Sequence, residues 1–200
     1  MATKRRVECV LHLSPKARKA ISKDFPGVAK ALNERFSLPE NGSAVKEFEQ
    51  ATQVADALRG VVQSSEADCE YFPCVMSGVD LEDDAAFYGA LGVGKKELAT
   101  IGGDEQRKLS TFYGPTEGEE NVPTVQLLMN LDDEEFEGLD AYLEPDEQKA
   151  LEKAARLLEK TGTVIGGVLC AEDDVSKLIF TVAKSRSGAW VGVCTCRIES

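Results

Sequence analysis

Three short segments near the end of the chain decide the fold: TVIGGVLCA (Thr163 to Ala171), KLIFTVAK (Lys177 to Lys184) and WVGVCTCRIE (Trp190 to Glu199). Each has the length and the β-branched and aromatic content of a strand. The connectors between them, EDDVS and SRSGA, are tight enough for hairpins. A strand points alternate side chains to opposite faces, so Trp190, Cys194, Cys196 and Ile198 share one face of the last strand. Leu178, Phe180 and Val182 do the same on the middle one. The pattern predicts a three-strand antiparallel meander. The segment just before it predicts a helix over 145–160. Pro145 suits the first helical position, Asp146 and Glu147 suit the positive helix start, and Lys160 followed by Gly162 suits its end. Leu151, Ala154, Ala155 and Leu158 form its apolar stripe. A helix on an antiparallel meander is α+β architecture.

Working back from there, residues 15–35 read as helical, with Pro26 breaking or restarting the helix. LPENGS (Leu38 to Ser43) is turn chemistry and a domain boundary. A second helix is expected over about 44–62, with Phe48, Ala51, Val54, Ala55, Leu58, Val61 and Val62 on one face. A strand is expected around Tyr71–Met76, then a helix near 83–92 and a short one near Gln106–Tyr113. GALGVGKK (Gly89 to Lys96) fits the spacing of a phosphate loop but lacks its chemistry. Lys96 stands where a hydroxyl must hold Mg²⁺, and the preceding VDLEDDAAFY reads as a helix start rather than a buried strand. Its glycines read as a helix stop.

The chain has 200 residues and a formal net charge of -12. The imbalance is local. Leu109 to Gln148 holds twelve acids and no Lys or Arg, and the remainder holds 23 of each sign. An acidic surface repels nucleic acid and favours basic protein partners. Residues 116–138 read either as part of that face or as a solvated, partly disordered acidic loop. No apolar run is long enough to span a membrane. The six cysteines are too sparse for a disulfide-stapled secreted domain and read as reduced thiols of a cytoplasmic protein. The first 35 residues carry nine Lys or Arg and three acids, which leaves organellar targeting open.

The sequence offers little catalytic chemistry. Cys194 and Cys196 invite a metal reading, but there is no C-x-x-C and the single histidine, His12, is remote in sequence. Core thiols are the simpler reading. The carboxylates fall in runs that single out no acid–base pair. The expectation is a protein that is not an enzyme and has no cofactor and no metal of its own.

Two segments resemble the nuclease A inhibitor (NuiA-like) family. In GVVQSSEADCEYFPCVMSG (Gly60 to Gly78), Ser65-Glu66-Ala67-Asp68 occupies the family's Ser-Glu core. At the chain end, Gly188, Gly192, Thr195, Ile198, Glu199 and Ser200 match the family's closing strand without gaps. Between them, LSTFYGPT (Leu109 to Thr116) resembles the family's short helix with paired aromatics, and the helix at 145–160 sits where its long helix does. The similarity covers about residues 44–200. Residues 1–43 would be a basic helical extension, and an acidic insertion falls near 116–138. The resemblance implies an α/β/α sandwich that plugs the active site of a sugar-nonspecific metal-dependent nuclease acting on DNA and RNA. It assigns three partner-binding positions. Glu66 matches the glutamate that meets the nuclease's arginines. Tyr142 falls where the family has a tryptophan. Ser200 stands where a terminal threonine faces the nuclease's metal. An interaction module of the same fold with no nuclease target is the alternative.

Overall fold

The computed structural model describes residues 9–63, 68–81, 111–113, 122–131, 136–137, 143–170 and 175–198. Its centre is the expected meander, formed by β6 (Val164–Cys170), β7 (Ser176–Lys184) and β8 (Trp190–Ile198). The register runs unbroken from Val164 opposite Ala183 to Cys170 opposite Lys177, and from Ser176 opposite Ile198 to Lys184 opposite Trp190. The Ser185–Ala189 turn closes through the Ser185 N–H on the Ala189 carbonyl at 2.8 Å. Three more strands extend the sheet: β1 (Val10–Leu13), β4 (Phe72–Ser77) and β5 (Thr111–Tyr113). The order is β1-β4-β8-β7-β6-β5, and all neighbours are antiparallel. A two-strand ribbon, β2 (Val62–Gln63) with β3 (Cys69–Glu70), stands beside it.

Helices cover both faces, so the architecture is an α/β/α sandwich. One layer is α1 (Pro15–Asp24) and α2 (Pro26–Arg35). The Ser14 hydroxyl caps α1 by accepting the Ala17 N–H at 3.1 Å, and Pro26 opens α2 at the break that its missing N–H imposes. Ala17, Ile21, Phe25, Val28 and Leu32 close over Leu178, Phe180, Val182, Trp190, Cys194 and Cys196. The other layer is α3 (Phe48–Ala57), α4 (Thr124–Met129) and α5 (Pro145–Thr161). Glu144 and Glu147 form a capping box at the start of α5. Its stripe of Leu151, Ala154, Ala155 and Leu158 is buried with Val54, Leu58, Ala183 and Val193.

Four expectations change. Residues 15–35 are helical as read, but the N-terminal segment is not an appendage: β1 pairs β4 along its length, and α1 and α2 are one wall of the core. The helix expected over 44–62 is confined to Phe48–Ala57, because Gly42–Ala44 makes a 3₁₀ turn, Val45 is extended, and the chain turns at Gly60 (φ 93°). Thr111–Tyr113 is a strand on β6, not a helix. These β-branched and aromatic residues cover an edge that would otherwise stay unpaired. The acidic stretch contains α4, whose Leu128 is fully buried. The helix expected near 83–92, with GALGVGKK, lies outside the described residues. Among the described residues, no helix is long and apolar enough to cross a membrane.

Candidate functional site

Glu66, Tyr142 and Ser200 all lie outside the described residues. Their described neighbours are the ends of β2 and β3, the start of α5, and the end of β8. The topology puts these at one end of the molecule. Helix α5 closes at Gly162 against the end of β7, where the Lys184 N–H reaches the Thr163 carbonyl at 2.9 Å, and β6 then runs back antiparallel to it. The start of α5 is therefore at the Cys170, Ser176 and Ile198 end of the meander. Strand β4 begins at Phe72 opposite Cys194, and β3 precedes it towards the same end. The Thr195 hydroxyl donates to the Cys69 carbonyl at 3.2 Å and pins β3 beside β8. Asp68, Glu70, Glu144 and Asp146 are exposed here, so the end carries carboxylates from two elements. Lys16 meets Glu70 at 2.9 Å, but both side chains are mostly exposed and the pair adds little stability.

The floor of this end is a buried polar seam. The Tyr71 hydroxyl donates to the Leu128 carbonyl at 2.9 Å, and the Thr181 hydroxyl donates to the Leu127 carbonyl at 3.1 Å. Burial pushes the Tyr71 phenol above its usual range, so it stays a neutral donor. Arg197 reaches the Asn130 carbonyl at 3.4 Å. These bonds hold carbonyls at the end of α4, where the Leu127 carbonyl also accepts the N–H of the capping Asn130 at 3.2 Å. Nothing in the residue pattern joined Tyr71 to the acidic stretch, because the contact spans 57 positions of the chain.

At the opposite end, the start of α3, the end of α5 and the turn after β7 surround an open groove of about 660 Å³. Its lining mixes Lys46, Lys160 and Arg186 with Glu47 and Glu49. The Ser187 hydroxyl donates to Glu47 at 2.7 Å, and that bond is the main reason the Glu47 carboxyl sits below its usual range. Nearby on β1, His12 Nε2 and the Ser77 hydroxyl are 3.1 Å apart, while Nδ1 is buried with no hydrogen-bond partner among the described residues. Burial lowers the His12 pKa, against the Glu47 charge that raises it.

Cys9, Cys69, Cys74, Cys194 and Cys196 are free and buried. Among the described residues, no group of three or more His, Cys, Asp or Glu is arranged to hold a metal ion. No protein-family model matches the chain, and a search of curated proteins finds no significant relative.

Proposed function

We propose that this chain is a non-catalytic, cytoplasmic protein that blocks the active site of a sugar-nonspecific, metal-dependent nuclease with the end of the molecule described above. The observation that carries the reading is convergence. The described residues that adjoin Glu66, Tyr142 and Ser200 come from three distant parts of the sequence and meet at one end of the sheet. A nuclease active site is basic and holds a divalent cation, since it must bind a polyanion and polarise a phosphate. A competitor for it must present anionic oxygen. In this reading the Glu66 carboxylate stands in for phosphate against arginines, where charge-assisted hydrogen bonds are strongest. Tyr142 is the aromatic anchor, and the Ser200 hydroxyl approaches the cation through oxygen. The acidic stretch supplies the long-range attraction to a basic partner.

The experiment is a titration of a bacterial nuclease of this class, with Mg²⁺ and plasmid DNA, by the purified chain. Stoichiometric loss of cleavage is expected, weakened by Glu66→Ala and by removal of Ser200. Full cleavage at large excess refutes the reading. It would favour the second one, an interaction module of the same fold without a nuclease target. What supports that second reading is α4, which makes the acidic stretch a docked part of the body rather than a passive loop. Deleting residues 1–43 does not separate the two readings, because residues 9–36 wall one side of the core.

A further inference from the structure

Four cysteines of the core beneath α1 and α2 stand in two pairs. Cys74 and Cys194 lie inside β4 and β8, and Cys69 and Cys196 lie where β3 passes β8. The Cys69 thiol donates to the Glu70 carbonyl at 3.4 Å, and the Thr195 hydroxyl donates to the Cys69 carbonyl at 3.2 Å, which sets Cys69 beside Cys196 on β8. The register of Phe72 opposite Cys194 projects to Cys196 standing opposite position 70, one residue from Cys69. The strand is interrupted at Tyr71, whose ring joins the opposite core, while Cys69 shares a core with Phe72 and Cys196. Both side chains are buried in the same core, and a disulfide between them requires a Cα separation of roughly 4.4–6.8 Å.

We propose that Cys69 and Cys196 are an oxidative modification site, at which a peroxide oxidises Cys69 and Cys196 closes an intramolecular disulfide. The Cys69 sulfur attacks one peroxide oxygen. The O–O bond breaks, the leaving oxygen departs as water, and Cys69 becomes a sulfenic acid. The Cys196 sulfur then attacks the Cys69 sulfur. The S–O bond breaks, and the hydroxide leaves with the Cys196 proton as a second water. Two thiols lose two electrons, and one hydrogen peroxide is reduced to two waters.

The pair is asymmetric in the way this sequence of steps requires. The hydrogen bond from the Cys196 thiol brings the Cys69 pKa down to about 7, which makes it the better nucleophile of the two. Cys196 is pushed up by that same bond and then by burial, so it keeps its proton until the second step. Cys194 is likewise pushed up, first by its bond to Cys74 and then by burial, and burial alone takes Cys9 to about 12. All four thiols are buried, but Cys74, Cys194 and Cys196 lie within long strands, whereas Cys69 is on a strand of two residues. So short a ladder opens locally at little cost.

The test treats the full chain with hydrogen peroxide, quenches free thiols with an alkylating agent, and maps the peptides by mass spectrometry. A Cys69–Cys196 crosslink that dithiothreitol reverses is expected, with Cys74 and Cys194 still alkylated. In Cys196→Ala, dimedone should trap a sulfenic acid on Cys69. Alkylation of both Cys69 and Cys196 after oxidation, or a crosslink joining either to a different cysteine, overturns the proposal. If the variant does not fold, the wild-type map decides.

Discussion

Leu128→Ala tests whether the acidic stretch belongs to the body of the protein. Leu128 is 0% exposed, and it sits in a six-residue helix that is too short to persist in water by itself. Its helix is held by docking. The Tyr71 and Thr181 hydroxyls fix the carbonyls of Leu128 and Leu127, so the backbone cannot sink into the space a smaller side chain leaves. Buried leucines truncated to alanine cost about 2–5 kcal/mol, and a site that cannot collapse falls away from the low end, so about 3 kcal/mol is expected here. For a domain of this size that corresponds to a melting shift of about 6–12 °C. The single tryptophan, Trp190, is fully buried and reports unfolding directly. Urea titration followed by its fluorescence should show a lower midpoint with an unchanged slope. Tyr71→Phe, which removes one donor from the same seam, should cost about 1 kcal/mol. A Leu128→Ala change below about 0.5 kcal/mol, the range of ordinary surface substitutions, would refute the docked helix and return residues 116–138 to a solvated loop.

Three other outcomes follow from the packing. Deleting residues 1–43 removes β1, α1 and α2 and bares Leu178, Phe180, Val182 and Trp190, so the remainder should lose cooperative unfolding and show solvent-exposed Trp190 emission; a truncated chain with native emission and an unchanged urea slope would contradict this. A Cβ at Gly192 would run into the Thr181 carbonyl of the neighbouring strand, so Gly192→Ala should cost about 1–3 kcal/mol as an overpacked site, again read by urea titration. A His12 pKa lowered on folding means that the unfolded chain binds the extra proton first. Stability should be full above about 6.5, the unfolded value, and decline as pH falls from there towards the lower folded value; His12→Gln should flatten that decline, and an unchanged pH profile in the variant would assign it to other groups.

The candidate site was legible only as far as local chemistry reaches. Glu66, Tyr142 and Ser200 came from a resemblance, and their residue types alone would not have separated them from the other acids and hydroxyls of the chain. That their flanking segments meet depends on α5 running antiparallel to β6 and on β3 lying against β8. The Cys69–Cys196 pairing was also beyond the sequence. Cys194 and Cys196 were visible as same-face core thiols, but the break at Tyr71 that turns Cys69 towards them obeys no period.

By itself the sequence determined what short-range physics governs. Alternation and turn residues specified the meander, Pro145 and Gly162 bounded α5, and Pro26 divided α1 from α2, because side-chain period, proline's missing N–H and glycine's freedom act within a few residues. The tertiary structure alone decided which segments complete the sheet. Nothing local in VLHL or TFY names β4 or β6 as its partner, since an edge strand is chosen by the unpaired N–H and C=O groups it meets. The same holds for residues 9–36, whose amphipathic helices announce an apolar face but not the sheet of Trp190, Cys194 and Phe180 that they cover. Burial is settled between segments far apart in the chain, where composition and periodicity carry no address.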